Sequence, residues 1–383
     1  MFRERKTRKR HVFTATLTAV SCAMLQSCRR YEAIAQWLAE QPLDFLWSLG
    51  FTRRPPTETG VRRLLSRIDV MAFEAALTRW ITDLLGAEAV SAALRPTAID
   101  GKTLRGTWHR FDGAVHLLAA ADAQTKCVLH QRRVPHDTNE HQTALDVLKD
   151  LVLTGRVITA DAMFCHQDVC ETIIHSGGHY VLPVKENQET LRNAISLEFT
   201  AQDVVLAAEK KAAAGVQRRR STDWRRASAA GKEHRREERR TLESTAALNL
   251  YLAECLGWSS VRQVFRITRD VAHIDRVTGE KKKSREVVYG LTSLSRDQAD
   301  ARKLLELNRG HWTIENGVFY VRDEAFGEDR CRVRTRSGPQ ILAGFHNAAL
   351  NLLRLSGSQN ISASLRSGTW NLPYVKQLLG IVN

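Results

Sequence analysis

The chain has 383 residues, of which 43% are hydrophobic and 26% charged, and this balance excludes a wholly disordered protein. Lysine and arginine number 57 against 42 aspartate and glutamate residues, so the formal net charge is +15. Such an excess favours a polyanionic partner, nucleic acid rather than a membrane surface. Six basic and one acidic side chain lie in residues 1–10, and twelve basic and five acidic ones in residues 209–240. Two such segments are typical of arms that contact phosphates.

The N-terminal residues 12–90 predict a small helical domain, because apolar side chains recur at helical spacing, for example in residues 33–38. Residues 1–10, the apolar stretch 13–25 and Cys28 also have the outline of a lipoprotein export signal. The apolar pattern continues beyond Cys28, which favours a helix of the folded protein and leaves export as the alternative. No apolar run is long enough to span a bilayer.

From Pro96 onward the pattern changes to short strands separated by turns and helices. The predicted strands are Thr97–Asp100, Val115–Ala121, Cys127–Val134, Val157–Asp161, Tyr180–Val184, Val261–Thr268 and Val287–Leu291. Helices are predicted after Asn139, over Gln167–His175, and over residues 297–323 and 338–355. The composition of residues 200–250 predicts a basic insertion, part helix and part flexible loop. This order predicts an α/β fold with a mixed sheet flanked by helices.

Two aspartates each end an apolar strand of this predicted sheet, Asp100 in Ala-Ile-Asp-Gly-Lys and Asp161 in Ile-Thr-Ala-Asp-Ala. Carboxylates at strand ends point into the crevice where such sheets bind ligands. Two close carboxylates repel unless a cation lies between them, and their hard oxygens suit Mg²⁺. A further oxygen donor is available at Glu315, which a continuous helix would place on one face with four other residues: His311, Trp312, Phe319 and Arg322.

Six blocks in this order resemble the H-repeat-associated (ISAs-type) insertion-sequence family of DDE transposases. They are Tyr31–Trp37, Ala98–Gly106 with the first aspartate, Thr159–Ala162 with the second, Tyr180–Gln188, the basic block His234–Arg240, and Arg309–Asn316 with Phe326–Asp329. The resemblance covers nearly the whole chain. It implies a ribonuclease-H-like core in which Asp100, Asp161 and Glu315 hold two Mg²⁺ ions, with Mn²⁺ able to substitute.

The family resemblance also implies an activity and a partner. The expected activity is DNA transposition: metal-dependent strand cleavage at the ends of an insertion sequence, then attack of the freed 3′-hydroxyl on target DNA. The expected partner is DNA, as terminal inverted repeats and as target, with a homodimer or higher oligomer joining two ends and no membrane partner. The candidate phosphate contacts are Lys102, Arg105, Lys185, Asn187, Arg309, Arg322, Arg235 and Arg236. Trp312 is expected to pack in the core.

The predicted domains follow from these blocks. They are residues 1–92 (N-terminal helical domain), 93–199 (first part of the core), 200–285 (basic insertion with return strands), 286–356 (second part of the core, with the Glu315 helix) and 357–383 (C-terminal tail). Seven scattered cysteines without a C-x-x-C pair favour a reducing cytoplasm, and hence action at the bacterial nucleoid.

Two alternatives remain open at the level of sequence. The chain departs from the family pattern at Val318, Phe319 and Glu324, so a relative that binds DNA without cutting it is the alternative function. The spacing of four residues, Cys165, Cys170, His175 and His179, superficially resembles a structural zinc site. Cysteines five apart near a helix start point in different directions, which favours buried thiols and surface histidines.

Overall fold

The computed structural model describes residues 13–86, 94–110, 113–212, 223–233, 236–274 and 281–381. The described strands are β1 (Arg95–His109), β2 (Gly113–Asp122), β3 (Val128–Arg133), β4 (Arg156–Ala160), β5 (His179–Val184), β6 (Arg225–Glu233), β7 (Arg236–Thr245), β8 (Gln263–Ile274) and β9 (Lys281–Thr292). The described helices are α1 (Phe13–Leu25), α2 (Tyr31–Glu40), α3 (Leu43–Ser48), α4 (Glu58–Leu65), α5 (Val70–Gly86), α6 (Glu140–Asp150), α7 (Gln167–His175), α8 (Glu189–Ala212), α9 (Asn249–Leu256), α10 (Ala301–Gly310), α11 (Tyr320–Phe326), α12 (Gly338–Leu355), α13 (Ile361–Trp370) and α14 (Leu372–Leu378).

The chain divides into two units. The first comprises residues 1–90, 101–138 and 314–383, and the second comprises residues 91–100 and 139–313. Strand β1 begins in the second unit and ends in the first.

The first unit is mainly helical. Helix α1 is part of its folded interior, because Ala19, Val20 and Ala23 are fully buried and the helix contacts α2 and α12. This packing supports the helix over the export signal. Over the described residues 13–86 the predicted helices are confirmed by α1 to α5, and residues 12 and 87–90 of that prediction lie outside the described part of the chain.

Buried polar side chains join α12 to β3 in this unit. Asn351 donates to and accepts from the backbone of Val128, with both distances 2.8 Å, and Asn347 donates to Gln131 at 2.9 Å. Because buried polar groups are costly unless paired, these bonds fix how α12 lies on the strand. The segment predicted as a C-terminal tail carries α13 and α14.

The second unit is built on a mixed sheet in the order β1-β4-β5-β9-β8-β7-β6. Strands β1, β4 and β5 run parallel, and β5, β9, β8, β7 and β6 pair antiparallel. The sheet has a helix on each face. Phe265 and Ile267 of β8 belong to a buried apolar cluster with Leu304 of α10, whereas Arg266 bonds Asp203 of α8 at 2.6 Å. Neighbouring residues of a strand point to opposite faces, so α10 and α8 cover different sides.

The flexible loop predicted within residues 200–250 is wrong where β6 (Arg225–Glu233) and β7 (Arg236–Thr245) continue the sheet, whereas the predicted helical part is confirmed by α8, which runs to Ala212. The strands were not predicted because their sequence is rich in charged and small residues and contains few of the β-branched and aromatic side chains that mark a strand. Cross-strand pairing of opposite charges supplies the missing stabilisation, as between Arg266 and Glu243 at 2.6 Å.

Within the described part of the chain, no helix combines the length and apolar character needed to cross a membrane.

Candidate active site

The register of two parallel strands brings the two predicted aspartates together. Ile99 of β1 lies opposite Ala160 of β4, and the residues that follow are Asp100 and Asp161. The two residues therefore follow a directly paired position of neighbouring strands, which agrees with the predicted proximity of the two strands. Asp161 follows the last residue of β4 as expected, but the prediction that Asp100 ends its strand is wrong, because β1 continues to His109.

A histidine that the sequence did not associate with these aspartates lies beside Asp161. His311 follows the last residue of α10, is 9% exposed, and places Nε2 3.9 Å from Oδ1 of Asp161. The distance is too long for a hydrogen bond and fits a charge contact. In the sequence, His311 was singled out only through the Arg-Gly-His-Trp block and its predicted helix face, and neither indicated a contact with Asp161.

The segments that follow β4 and β5 are tied to each other. Nδ2 of Asn187 donates to the backbone carbonyl of Ala162, the residue after Asp161, at 2.8 Å. Asn187 was predicted to contact phosphates. In the structure its side-chain amide instead donates a hydrogen bond that holds the segment after Asp161 in place. Lys185, at the end of the same strand, is exposed, and so is Arg309 in the last turn of α10.

The prediction that Trp312 packs in the core is wrong. Its side chain is 42% exposed, and its ring lies 5.1 Å from the guanidinium of Arg240 and 5.5 Å from that of Arg269. These arginines are directly opposite each other on β7 and β8. Both bond the carboxylate of Glu238, Arg269 at 3.1 Å. The residue after His311 is therefore a partly exposed tryptophan whose indole ring makes cation–π contacts with two arginines.

Lys102, predicted to bind a phosphate, is committed to carboxylates within the first unit. Its buried ammonium lies 2.7 Å from Asp323 and 3.9 Å from Asp329. Burial raises the pKa of Asp323, and the charge of Lys102 opposes that rise. Arg105 is exposed and lies 3.6 Å from Asp329, so its side chain remains accessible.

Arg322 is also removed from the set of accessible cations. It is fully buried and bonds Glu328 with two hydrogen bonds of 2.9 Å, and His346 bonds the same carboxylate at 2.9 Å. Burial alone would raise the pKa of Glu328, but the charge of Arg322 and the contact with His346 outweigh it and lower that pKa to about 2. The prediction that Arg322 contacts DNA is therefore wrong.

Glu315 is exposed and begins a π-helical segment, Glu315–Phe319, in the first unit. The continuous helix predicted over residues 297–323 is wrong, because α10 ends at Gly310 and the π-helical segment precedes α11. The five residues therefore share no face: His311, Phe319 and Arg322 are buried, while Trp312 and Glu315 are exposed. Single π turns inside helices frequently occur at functional sites.

Four further positions singled out in the sequence have the following outcomes. Arg235 lies outside the described residues, and Arg236 is the first residue of β7. Cys165 and Cys170 are buried thiols whose pKa burial raises, for Cys165 to about 12. Among the described residues, no group of three His, Cys, Asp or Glu side chains is arranged to hold a metal ion. The chemistry of Asp100 and Asp161 nevertheless suits a divalent cation, since carboxylate oxygens are the ligands Mg²⁺ and Mn²⁺ prefer.

Comparison with known proteins identifies the class to which this fold and its aspartate pair belong. Residues 92–352 match the family described as "Transposase DDE domain", and residues 3–81 match a family described as "DDE_Tnp_1-associated". The chain belongs to the DDE transposase family.

Its relatives include proteins of the H-repeat group, as the sequence predicted. The chain is 26% identical over 346 residues to "H repeat-associated putative transposase YhhI" of Escherichia coli K12, covering 90% of this chain and 85% of that protein. It is 27% identical over 354 residues to "Putative transposase YncI" of Escherichia coli O157:H7, covering 90% and 83%. Among solved structures, a piggyBac transposase synaptic complex with hairpin DNA matches at a TM-score of 0.42 and 12% identity, covering 95% of this chain and 72% of that one, a likeness too low to carry an argument.

Proposed function

We propose that this protein is an active DNA transposase. It would cut DNA strands at the ends of its own insertion sequence and join the cut ends to target DNA. The observation that carries the proposal is the adjacency of Asp100 and Asp161 across the parallel strands β1 and β4, in a chain of the DDE transposase family. Phosphodiester transfer needs an activated hydroxyl, a stabilised leaving oxygen and in-line geometry.

Asp100, Asp161 and Glu315 are the residues proposed to hold divalent metal, as Mg²⁺ with Mn²⁺ as substitute. Bound divalent ions lower the pKa of an attacking water and stabilise both oxygens of the displacement. His311 would act on Asp161, because its ring nitrogen lies 3.9 Å from Oδ1 and limits the positions that the carboxylate can take. His311 is therefore a positioning residue.

Three of the cations predicted from the sequence, all with exposed side chains, are the proposed phosphate contacts. Lys185 follows β5, Arg309 precedes His311, and Arg105 follows Asp100 by five residues, and all three side chains are exposed. Lys and Arg contacts of this kind orient DNA without reading its sequence. The proposed partners are the element's terminal inverted repeats and target DNA, bound by a homodimer or higher oligomer on the ribonuclease-H-like core.

The test is strand cleavage on a duplex that carries the end of the element, taken from the DNA flanking the gene. The full-length protein is expected to cut in Mg²⁺ and to stop in EDTA. Glu315→Gln should reduce cutting by at least about a hundredfold, since loss of one such carboxylate removes transition-state charge stabilisation. Glu306→Gln, an exposed glutamate of α10, is the matched control and should cut normally.

The alternative function makes a different prediction in the same assay. A DNA-binding relative that does not cut would shift the duplex in a binding assay yet leave it intact in both Mg²⁺ and Mn²⁺. The substituted positions Val318 and Phe319 are buried within the π-helical segment, at 0% and 8% exposure. The family resembled by this sequence usually has Leu-His where this chain has Val318-Phe319, so recovery of cleavage in Phe319→His would locate the defect there.

A further inference from the structure

The four antiparallel strands of the second unit extend well beyond the edge that carries Asp161. Tyr289 of β9 pairs with Val184, the last residue of β5, and β9 begins eight residues earlier at Lys281. At about 3.4 Å per residue this part of β9 is about 27 Å long. Strands β8, β7 and β6 accompany it in continuous register. We call this part, residues 228–233, 236–241, 268–274 and 281–288, the distal sheet.

The extension lies on the side of the proposed catalytic carboxylates. Asp161 follows the carboxyl end of β4, and β5 runs parallel to β4. Because β9 is antiparallel to β5, the residues before Tyr289 continue past the same end at which Asp161 lies. DNA bound at that edge of the second unit would therefore meet the distal sheet.

The two faces of the distal sheet differ in charge. The register places five cations on the face shared with α8, namely Lys232, Arg239, Lys281, Lys283 and Arg285, with two carboxylates, Glu237 and Asp270. The opposite face has three described cations, Lys282, Arg240 and Arg269, with two carboxylates, Glu238 and Glu286. The first set of cations, here named the cationic face, thus carries a net +3 against +1 on the described side chains of the other.

The cationic face is also accessible and concave. Its side chains include Lys232 and Arg285, which are 73% and 69% exposed, and they line a depression of about 920 Å³. Lys232 and Lys281 pair with Glu237, and Arg285 pairs with Asp270 at 2.6 Å. Such exposed pairs are weak, so a polyanion with closely spaced phosphates can compete for these cations.

We propose that the cationic face of the distal sheet binds the phosphate backbone of duplex DNA over about 8 base pairs, since its length of about 27 Å matches that rise. This inference rests on the proposed function and adds to it a binding surface whose β9 residues, Lys281, Lys283 and Arg285, no sequence motif indicated. The contact proposed for these lysine and arginine side chains is with the phosphates, so it does not depend on DNA sequence.

The experiment compares two double variants of the full-length protein that each remove two charges. Lys283→Gln with Arg239→Gln changes the cationic face. Lys282→Gln with Arg302→Gln changes the α10 side, where Lys282 is the neighbour of Lys283 on the opposite face and Arg302 is 83% exposed. Binding to a 30-base-pair duplex is measured by fluorescence anisotropy over a range of salt concentrations, with an element-end sequence and a shuffled sequence. Unchanged thermal unfolding of both variants establishes that they fold.

The slope of the logarithm of the association constant against the logarithm of salt concentration is negative. In the cationic-face variant its magnitude is expected to decrease by about 1.8, because each lost phosphate contact removes about 0.9. The loss should be equal for both DNA sequences, and the control variant should behave as the wild type. Equal slopes for the two variants, or a wild-type slope in the cationic-face variant, would overturn the interface while leaving the proposed function intact. A wild-type protein that binds neither duplex would overturn both.

Discussion

Charged residues are used in opposite ways in the two units. In the first, Arg322, Glu328 and His346 form a cluster in which no side chain is more than 3% exposed. In the second, the distal sheet carries Lys and Arg side chains that are paired but largely exposed, such as Arg285 with Asp270. Burial makes the first cluster a determinant of folding, because a buried charge without its partner is very costly. Exposure leaves the second available to a ligand, because water screens its pairs.

The largest expected effect comes from breaking the buried cluster. Glu328→Gln removes the only carboxylate bonded to Arg322 in the described contacts and leaves an uncompensated charge inside the first unit. The free energy of unfolding should fall by about 3–5 kcal/mol. Chemical denaturation monitored by circular dichroism measures it.

The control for that change is Glu286→Gln in the distal sheet, where the glutamate is 62% exposed and lies 3.3 Å from Arg269. Its cost should stay within about 0.5 kcal/mol. Similar losses for the two variants would contradict the contrast between a structural and an accessible charge network.

Acid should destabilise the fold mainly through the buried cluster of Arg322, Glu328 and His346, and much less through the exposed charge pairs of the distal sheet. The pKa of Glu328 is lowered from 4.5 to about 2 in the folded protein, so its ionised form stabilises the fold fully above about 4.5. That contribution, up to about 3 kcal/mol, is lost as pH falls from about 4.5 towards 2. Unfolding measured at pH 7, 4 and 3 should show the loss in the wild type. The double variant Arg322→Met with Glu328→Met should lack this component, and an unchanged pH dependence in it would contradict the assignment.

An intermediate effect is expected at Trp312 of the second unit, whose cationic neighbours are only partly exposed. The indole lies against Arg240 and Arg269, whose side chains are 14% and 22% exposed. A double-mutant cycle between Trp312→Leu and Arg269→Gln should give a coupling energy of about 0.5–1 kcal/mol. A coupling near zero would mean that the ring and the guanidinium do not interact in solution.

The smallest effect on stability, but an opposite effect on binding, is expected for Asp270→Asn. Asp270 bonds Arg285 on an exposed face, so its loss should leave the unfolding temperature unchanged. It should raise affinity for duplex DNA a few-fold, because one negative charge leaves the cationic face. Weaker binding by this variant would show that the aspartate orders Arg285 for the contact rather than competing with DNA.

Local sequence patterns were sufficient for most of the fold. The helix predicted after Asn139 is α6, and Asn139 caps it by accepting from the backbone of Gln142 at 3.0 Å. Helix α12 has the predicted bounds Gly338–Leu355. Strands β6 and β7 escaped prediction because their stabilisation comes from pairing with β8, a contact between residues far apart in sequence.

The candidate site was predictable in its residue types but not in the use of each one. Apolar strands before Asp100 and Asp161 indicated that these residues could meet, and the strand register bears this out. Burial decides whether a cation contacts a phosphate or a carboxylate, and neither Lys102 nor Arg322 differs from an exposed cation in sequence alone. The sequence placed His311 on a helix face with Glu315 and gave no sign of its contact with Asp161, because that contact joins the end of α10 to the end of β4, which are far apart in sequence.

The central claim is that Asp161 is a metal ligand at the point of DNA cleavage, and a change of metal preference tests it most directly. Asp161→Cys replaces a hard oxygen donor by a softer sulfur one, whereas Asp297→Cys makes the same change at an exposed aspartate before α10. The account predicts that Asp161→Cys loses strand cleavage in Mg²⁺ and regains it in Mn²⁺, while Asp297→Cys cuts as the wild type does in either ion. Cleavage by Asp161→Cys in Mg²⁺ at the wild-type rate would contradict the account.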